Sequence, residues 1–324
     1  MKLFWHGLLA ATALFATTIG SNAQTWPSRP VKLLVPTGAG AATDVMARLL
    51  ADGVSRTLGQ PMVVENMPGA SGLLAHQAVA RAPADGYTLL FSNTSGLAIN
   101  LVSFKKLPYD PAKDFAAVAM ICSLGPQMLS VNAELPVKSV PEFVTYAKAN
   151  RGKLSMAFDN TAGAAAFAAK LINQRADLGL VEVPYRGPAQ MTQDIAGGTT
   201  QVMVSSIAAA RAVVEAGKVR RLAVTSATRF PGLPDLPSVS ETVPGVVMNG
   251  WFAVVAPAGT PPDVIRTLNA KIGDYLKGPE IQERLLAFGL ATEGAGTPDS
   301  TAQFIQQEQD NWRVLAKDLA IEPQ

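Results

Sequence analysis

Residues Val31-Lys-Leu-Leu-Val-Pro-Thr-Gly-Ala-Gly-Ala-Ala-Thr-Asp44 decide the fold of this chain. The apolar run Val31–Val35 predicts a buried strand, and a glycine-containing turn at residues 37–42 leads into a helix. Such a strand–turn–helix unit offers backbone N–H groups and the positive end of a helix dipole to an anion. We expect Thr43 to cap the helix. A purely structural turn, with Asp44 favouring the helix dipole, remains the alternative.

The first 23 residues are typical of an export signal. Lys2 gives a positive amino end, residues 3–19 are apolar, and Ser21-Asn22-Ala23 places small residues at a cleavage site before Gln24. We therefore expect a signal peptide at residues 1–23 and a mature protein outside the cytoplasm.

Composition limits the class of protein. The 324 residues are 48% hydrophobic and 16% charged, which is typical of a folded chain long enough for two domains. Loss of residues 1–23 removes Lys2 and no acid, so the formal net charge falls from +2 to +1. This balance argues against nucleic-acid binding. Cys122 is the sole cysteine and His76 the sole histidine after residue 23, which disfavours Cys/His metal sites.

Strand-like and helix-like segments alternate along the chain. The predicted strands are 31–35, 62–65, 87–91, 116–121, 127–131, 154–158, 180–184, 201–204, 221–224 and 251–255. The predicted helices are 45–58, 73–81, 139–149 with a capping box, 164–174, 188–196, 208–216, and two that begin at Thr260 and Thr297. Residues 230–245 are expected to form a surface loop. This order predicts an α/β fold of two mostly parallel sheets flanked by helices, with ligand loops at the carboxyl ends of strands.

Three further turns follow predicted strands and carry small polar residues. They are residues 92–95 with the sequence Ser-Asn-Thr-Ser, residues 158–163, and Ser205-Ser206. Small polar residues are also ordinary helix caps, so each turn alone has a structural explanation. Their shared position after strands favours a common cleft.

Nucleotide binding and catalysis are disfavoured. The sequence Gly38-Ala-Gly40 resembles a dinucleotide motif, with Glu65 at the end of the next strand, but Thr43 occupies the third glycine position. A Walker loop and a Gly-x-Ser-x-Gly elbow are missing from the sequence. We expect His76 to be a surface or packing residue, and we expect no cofactor, no metal site and no catalytic residues.

Short motifs spread over the mature chain point to one family. In order they are Trp26-Pro-Ser-Arg-Pro30, Glu65-Asn-Met-Pro-Gly69, Asp85-Gly-Tyr-Thr-Leu89, Leu107-Pro-Tyr-Asp110, Leu135-Pro-Val-Lys-Ser139, Val183-Pro-Tyr-Arg-Gly187 and Ala256-Pro-Ala-Gly-Thr260. With the export signal and the first glycine turn, this order resembles the Bug (TctC-like) extracytoplasmic solute receptors of tripartite tricarboxylate transport.

The resemblance implies a two-lobed type II periplasmic-binding-protein fold of the Venus-flytrap class. Lobe one would comprise residues 24–125 and 251–324, and lobe two residues 126–250. It further implies a monomeric periplasmic receptor, not an enzyme, that captures a small carboxylate between the lobes and delivers it to permease subunits. A ligand sensor for a membrane kinase and an exported enzyme using the same cleft are the alternatives.

The resemblance places the ligand site at the first glycine turn, residues 37–44, and at residues 158–166, 185 and 204–206 of lobe two. Together with the turn after the third strand, the predicted ligand-binding residues are Thr37, Gly38, Ala39, Gly40, Ala41, Ala42, Thr43, Asp44, Ser92, Asn93, Thr94, Phe158, Asp159, Asn160, Thr161, Ala162, Gly163, Ala164, Tyr185, Ser205 and Ser206.

The sequence departs from the family pattern where ligand choice is set. Ala41 replaces a common second glycine, residues 162–167 lack the usual Ser/His turn, and Ser205 replaces a common acid. Fewer polar groups disfavour a small dicarboxylate and favour an aromatic or otherwise apolar carboxylate, with Phe158 and Phe167 as walls. Asp159 is an alternative partner for a positive group, and Arg186 is either a carboxylate clamp or a solvated surface residue.

Overall fold

The computed structural model describes residues 26–159 and 163–323. The predicted signal peptide, its cleavage site and the predicted site residues Asn160, Thr161 and Ala162 lie outside the described residues. The strands within them are β1 (Val31–Val35), β2 (Met62–Asn66), β3 (Thr88–Asn93), β4 (Phe115–Asn132), β5 (Ser155–Asp159), β6 (Val181–Tyr185), β7 (Val202–Ser206), β8 (Val219–Val224) and β9 (Asn249–Pro257).

The α-helices of the same residues are α1 (Ala42–Leu58), α2 (Leu73–Ala80), α3 (Asn100–Ser103), α4 (Val140–Ala149), α5 (Ala164–Arg175), α6 (Pro188–Ala196), α7 (Ile207–Glu215), α8 (Pro262–Leu276), α9 (Pro279–Ala287) and α10 (Pro298–Asp318). Most of them agree closely with the predicted segments, whereas α3 was not predicted and α9 was not predicted as a separate helix. A π-helical turn at Ser95–Ile99 leads directly into α3. Among the described residues, no helix combines the length and apolar character that a membrane span requires.

The strands form two lobes that share β4. Across the first lobe the order is β2-β1-β3-β9-β4, and across the second it is β6-β5-β7-β4-β8. The pairings give β1, β2, β3 and β4 one direction, with β9 opposed. In the second lobe β5, β6, β7 and β8 share a direction and β4 opposes them. Most strands of each lobe therefore run in one direction, and the predicted two-lobed α/β fold is confirmed.

Strand β4 corrects one prediction. Segments 116–121 and 127–131 were expected as separate strands, yet they lie in one strand of 18 residues. Its first part pairs with β9 as far as Pro126, and from Gln127 it pairs with β7 and β8. Gly125 and Pro126 interrupt the apolar pattern without ending the strand, since they still pair with Gly250 and Asn249 of β9 after a register shift between Cys122 and Gly125.

The decisive β1–α1 unit forms as predicted. All residues of β1 except Lys32 are buried, and Met46, Leu50 and Val54 of α1 face the same core. The helix ends at Gly59, whose φ of 81° is a left-handed conformation that glycine adopts at little cost. Burial of this apolar stripe stabilises the packing of the helix on the sheet, by about 25 cal/mol for each Å² of apolar surface removed from water.

Two helix caps differ from the prediction. Ser139 accepts a hydrogen bond from the Glu142 N–H, but the Glu142 carboxylate accepts from the Lys138 N–H at 2.8 Å, so the expected box is displaced by one residue. The Thr260 hydroxyl donates to the Pro257 carbonyl at 2.7 Å, and α8 begins without a side-chain cap. Proline at the start of α8 preorganises the helix in place of that cap.

In the second half of the chain, the single long helix expected from Thr260 is divided into α8 and α9 at Lys277 and Gly278. Thr297 caps α10 as expected, accepting from the Ser300 N–H at 3.0 Å. The expected loop at 230–245 contains a short 3₁₀ turn at Val239–Glu241, which Ser238 caps.

Candidate functional site

Three helices begin at one cavity between the lobes. The cavity has a volume of about 150 Å³, and Ala42 and Thr43 of α1, Ala164 of α5, and Ser206 and Ala208 at the start of α7 line it. We call it the helix-end compartment; its other lining residues are Met46, Asn93, Thr94, Ser95, Gly125, Pro126, Gln127, Gly250, Trp251, Phe252, Phe288, Gly289 and Leu290.

The electrostatics of the helix-end compartment favour an anion. Each helix start is equivalent to about half a positive charge because its first N–H groups lack partners within the helix. Among the described residues that line the compartment, none carries a formal charge that would offset the three helix starts. A carboxylate would therefore meet positive potential and N–H donors without a lysine or arginine.

The amino end of α1 differs in detail from the prediction. Ala41, not Thr43, is the N-cap, and it provides no side-chain hydrogen bond. Thr43 lies inside the first helical turn and is buried. The Gly40 N–H is occupied, because it donates to the Asp44 carboxylate at 2.8 Å. The donors that α1 offers to the cavity are therefore those of Ala42 and Thr43.

Asp44 organises the turn that precedes α1. Its carboxylate also accepts from the Arg48 guanidinium at 3.0 Å and from the Asn66 amide at 2.8 Å. Burial by itself raises the pKa of Asp44, but the hydrogen bonds from Arg48, Gly40 and Asn66 together hold the pKa below its usual value. The Asn66 amide also donates to the Thr37 carbonyl, which ties the turn to β2. Asp44 thus has the structural role that was the alternative to ligand contact.

The other side of the helix-end compartment is apolar. Its walls are Met46 from α1, Trp251 and Phe252 from β9, and Phe288 and Leu290 from the segment after α9. Trp251 is almost fully buried. The arrangement accommodates a molecule with an anionic end at the helix starts and an apolar body against these walls.

A second cavity adjoins the first and has a different chemistry. Its volume is about 560 Å³, and it shares Asn93 and Ser95 with the helix-end compartment. We call it the arginine compartment, lined by Pro36, Thr37, Gly69, Ser71, Gly72, His76, Asn93, Ser95, Pro184, Tyr185 and Arg186. The Thr37 hydroxyl is buried and has no hydrogen-bond partner among the described residues.

Tyr185 lines the arginine compartment, but its hydroxyl is already engaged. The hydroxyl donates to the Asp194 carboxylate at 2.6 Å. Burial and then the neighbouring Asp194 raise the pKa of Tyr185 to about 12. Tyr185 therefore contributes its ring to the cavity lining, and its hydroxyl keeps its proton and donates it in the hydrogen bond to Asp194.

His76 is a packing residue, which is one of the two roles expected for it. It is fully buried and stacks on Tyr109 with the ring centroids 5.0 Å apart. Its Nδ1 lies 2.8 Å from the Gly72 carbonyl and its Nε2 lies 2.7 Å from the Ser92 hydroxyl. Since a carbonyl only accepts, we assign the proton to Nδ1, and the Ser92 hydroxyl donates to Nε2. Burial lowers the pKa of His76 to about 4.

The buried His76 predicts a pH-dependent stability. Its pKa is about 4 in the folded protein against 6.5 for the ordinary side chain, so the unfolded state binds more protons between these values. The stabilisation is therefore complete above pH 6.5 and is lost as the pH falls towards 4. We expect the free energy of unfolding to fall by about 2 kcal/mol between pH 7 and pH 5, measured by urea denaturation. His76→Gln should reduce this slope; an unchanged slope in the variant would contradict the assignment.

Several predicted residues lie away from both compartments. Gly38 and Ala39 are exposed on the turn, and the buried Ser92 is held by His76. Ser205 is buried, and its hydroxyl donates to the neighbouring Ser206 carbonyl at 3.2 Å. Strand geometry explains the placement of Ser92 and Ser205, because alternate residues of a strand point to opposite faces and their neighbours Asn93 and Ser206 line the cavity instead.

The expected aromatic walls also lie elsewhere. Phe158 and Phe167 line a separate cavity of about 470 Å³ together with Lys170 and the C-terminal residues 319–322. Asp159 is half-buried at the end of β5, where burial raises the pKa of its carboxyl. Gly163 is the N-cap of α5 and is buried. The large apolar residues that line the helix-end compartment thus come from α1, β9 and the segment after α9, not from lobe two.

The sequence offered no signal for most of these wall residues. Trp251 and Phe252 stand in an apolar strand, where large side chains ordinarily indicate core packing. Phe288 and Leu290 follow a short helix that was not separated from its neighbour. Their convergence depends on how β9 and β4 cross between the lobes, which periodicity does not encode.

The turn before α1 predicts a contrast between its two glycines. Gly40 has a φ of 82°, whereas Gly38 does not have a left-handed φ, and an added Cβ meets no atom within 4 Å at either position. We expect Gly40→Ala to destabilise the protein by about 1 kcal/mol through backbone strain, and Gly38→Ala to be nearly neutral. Urea denaturation of the two variants tests this, and equal midpoints would refute it. Gly40 lines neither compartment, so we expect its substitution to act on stability and not by steric contact with a ligand.

Comparison with known proteins gives one consistent family. Residues 46–321 match the model of the tripartite tricarboxylate transporter family receptor, TctC. A curated UPF0065 protein of Bordetella bronchiseptica is 37% identical over 320 residues, which is 98% of this chain and 93% of the relative. Protein BugT of Bordetella pertussis is 34% identical over 317 residues, which is 96% of this chain and 97% of the relative.

Solved structures agree with the sequence comparison. The chain is similar to R. palustris Rpa4515 with adipate, with a TM-score of 0.84, 35% identity, and coverage of 92% of this chain and 100% of that one. It is similar to the periplasmic binding protein BugD, with a TM-score of 0.80, 30% identity and coverage of 92% and 100%. It is also similar to MatC from Rhodopseudomonas palustris with bound malate, with a TM-score of 0.77, 31% identity and coverage of 89% and 99%.

Proposed function

The chain belongs to the TctC family of tripartite tricarboxylate transporter receptors, and from that premise we propose that it captures a small carboxylate between its lobes and delivers it to a membrane permease. Members of this family are periplasmic solute-binding receptors. The proposal includes removal of residues 1–23 on export and function as a monomer in the periplasm.

The main observation in support of the proposal is that three helices begin at one cavity whose described lining has no formal charge. Ala42 and Thr43, Ala164 and Ala208 belong to first turns of helices of 17, 12 and 9 residues. We propose that their N–H groups hold the carboxylate, and that the Asn93 amide assists. The Asn93 side-chain oxygen is engaged with the Gly96 N–H at 3.1 Å, which leaves the amide NH₂ as the donor towards the cavity.

The ligands named with two similar proteins support a carboxylate. Rpa4515 carries adipate and MatC carries malate, and both are dicarboxylates. The apolar walls at Trp251, Phe252, Phe288 and Leu290 favour a ligand with a hydrocarbon body, such as adipate, over a short hydroxylated one such as malate.

The expected contacts provide enough free energy for reversible binding of a carboxylate. A micromolar receptor needs about −8 kcal/mol of binding free energy. Charge-assisted hydrogen bonds contribute about 1.5–3 kcal/mol each, and burial of a four-methylene spacer adds up to about 3 kcal/mol. Three such bonds and an apolar spacer therefore offset the loss of ligand freedom and hydration.

We propose that the site binds without catalysis. Within residues 26–159 and 163–323, the one Ser–His hydrogen bond joins Ser92 and His76, both of them fully buried. Burial also raises the pKa of the Cys122 thiol to about 12, so the thiolate nucleophile is disfavoured. None of these three side chains lines the helix-end compartment, where the carboxylate is proposed to bind.

We propose that the boundaries between the lobes lie in β4 and β9. We propose lobe one at residues 24–125 and 251–324 and lobe two at 126–250, with both crossing strands acting as the hinge. The exchange of partners by β4 after Pro126 supports this division.

Isothermal titration of the mature protein against adipate, malate and benzoate tests the proposal. We expect at least one of them to bind with micromolar affinity and to reduce the radius of gyration in solution scattering. Failure of all three, with hexanoate as a further monocarboxylate, to bind below millimolar concentration would refute a carboxylate receptor. Permease delivery is tested separately, by ligand uptake in cells with and without the receptor gene.

A further inference from the structure

We infer that α10 holds lobe two against lobe one, and that Trp312 and the C-terminal residues 318–322 are positioning residues for the start of α5 in the binding site. The inference rests on the proposed carboxylate site, because α5 is one of the three helices whose N–H groups are proposed to hold the ligand.

The larger part of α10 packs on lobe one. The buried Gln309 amide donates to the Leu97 carbonyl in the π-helical turn at 2.9 Å. Phe304 packs edge-on against Trp251 of β9 with the ring centroids 5.6 Å apart. These contacts are consistent with the proposed boundary, which assigns residues 251–324 to lobe one.

The last turns of α10 contact α5 of lobe two instead. The ring of Trp312 packs edge-on against Phe167 with the centroids 4.8 Å apart. The Asp318 carboxylate accepts from the Arg175 guanidinium at 3.3 Å, and the Asp318 carbonyl accepts from the Gln174 amide at 3.3 Å. One helix therefore contacts both lobes through its side chains, in addition to the connection that the crossing strands β4 and β9 provide.

These contacts lie near both ends of α5. Phe167 comes one turn after Ala164, which lines the helix-end compartment, and the two residues that meet Asp318 are the last two of the helix. Since α5 is a continuous hydrogen-bonded helix of 12 residues, support near both ends fixes its axis. The position of its first N–H groups thus depends on Trp312 and Asp318, although neither lines the compartment.

The chain after α10 extends the contact with lobe two. Leu319 and Ile321 pack against buried residues of the main core. Residues 319–322 also line the cavity of about 470 Å³ that Phe158 and Phe167 line from lobe two. A half-exposed ion pair such as that of Asp318 contributes little by itself, so these apolar contacts are needed to hold the end of α10 in place.

The position of α5 affects affinity through the population of the binding-competent arrangement. If lobe two moved freely, the ligand would have to bring α5 back to the cavity, and the apparent dissociation constant would rise in inverse proportion to the competent fraction. A competent fraction of about one-tenth therefore weakens binding about tenfold. A purely structural role of α10 would lower Tm but would leave the distance between the lobes of the folded protein unchanged.

Two variants remove the contacts at different points. Deletion of residues 318–324 removes the ion pair and the C-terminal contacts but keeps Trp312, and Trp312→Leu removes the ring but keeps an apolar side chain. Two controls match them. Deletion of residues 323–324 shortens the chain beyond these contacts, where Pro323 is exposed, and Val314→Ala changes an apolar side chain of α10 that is 65% exposed.

The distance between the lobes can be measured without a ligand. Spin labels on Asp52→Cys in α1 and Lys148→Cys in α4, both exposed positions, report it by double electron–electron resonance. The labels react with the added cysteines because Cys122 is fully buried. Isothermal titration with adipate, malate, benzoate and hexanoate gives the affinities, and thermal denaturation establishes that each variant is folded.

We expect both variants to lengthen and broaden the distance distribution of the ligand-free protein and to weaken binding about tenfold or more, equivalent to about 1.4 kcal/mol. The two controls should behave like the wild type. Folded variants with an unchanged distance distribution would overturn the inference, and so would a longer distance with unchanged affinity, because α5 would then be positioned without α10. Failure of the wild type to bind any of the four carboxylates would instead count against the carboxylate receptor, while the distances would still test whether α10 holds the lobes together.

Discussion

Replacement of Ser206 by aspartate is expected to abolish carboxylate binding without loss of stability. Ser206 is the N-cap of α7, where its hydroxyl accepts from the Ala209 N–H at 3.2 Å, and it lines the helix-end compartment. Aspartate is as good an N-cap as serine and interacts favourably with the helix dipole. The variant should therefore fold normally while placing a fixed negative charge at the site proposed for the ligand.

The size of this effect follows from Coulomb's law. Two like charges about 4 Å apart repel by about 4 kcal/mol at an effective dielectric constant of about 20. Even half of this value reduces affinity about thirtyfold, and we expect a loss of at least 100-fold for adipate and hexanoate alike. The aspartate also satisfies the N–H groups at the start of α7, which removes donors from the ligand.

Ser206→Asn is the matched control, since asparagine caps helices equally well and is neutral. Isothermal titration should give Ser206→Asn an affinity within about fivefold of the wild type. Thermal denaturation should give the aspartate variant a Tm no lower than that of the wild type. A folded aspartate variant that still binds carboxylates with unchanged affinity would remove the three helix starts from the binding site.

The fold could be predicted from local sequence because its units are local. The β1–α1 unit has an apolar strand, a glycine turn and an apolar stripe that ends at Gly59, and each feature acts within a few residues. The same holds for Thr297, whose hydroxyl caps α10 from the adjacent turn. Where a feature depends on tertiary pairing, as in the continuous β4 through Gly125 and Pro126, the local pattern predicted a break that the sheet does not have.

The binding site was predictable only in part, for the same reason. Helix starts follow from strand–turn–helix patterns, so Ala42, Thr43, Ala164 and Ser206 were predicted and do line the cavity. The direction of individual side chains was not predictable. Gly40 and Asp44 were predicted to bind the ligand; in the structure the Gly40 N–H donates to the Asp44 carboxylate, and neither residue lines either compartment.

The aromatic residues show most clearly which features of the binding site the local sequence could not predict. The scarcity of polar groups in lobe two suggests Phe158 and Phe167 as ligand walls, whereas in the structure Phe167 packs edge-on against Trp312 with the ring centroids 4.8 Å apart. The local sequence around a large apolar residue beside a turn does not indicate whether its side chain packs in the core or lines a cavity. The strand crossing that brings Trp251 and Phe252 to the helix starts involves pairings over 100 residues apart in sequence.

Truncation of Trp251 to alanine is expected to cause the largest loss of stability. Trp251 is 1% exposed, packs edge-on against Phe304 of α10 with the ring centroids 5.6 Å apart, and donates from its indole N–H to Glu308 at 2.9 Å. Removal of a large buried aromatic ring costs about 3–5 kcal/mol. Since Trp251 joins β9 to α10 and also lines the helix-end compartment, its loss should affect both the crossing strand and the ligand site.

Urea denaturation and amide hydrogen exchange measure the two consequences. We expect Trp251→Ala to lower the free energy of unfolding by about 3–5 kcal/mol and to increase exchange in α10 around Glu308. Trp251→Phe keeps the ring but leaves Glu308 without the indole donor, at a cost of about 1–2 kcal/mol. Glu308→Gln retains an acceptor oxygen and should cost under about 1 kcal/mol. A much larger loss in Trp251→Ala than in the other two variants, centred on α10, would identify ring packing as the contact that holds α10 on β9, whereas equal losses in all three variants would assign that role to the hydrogen bond.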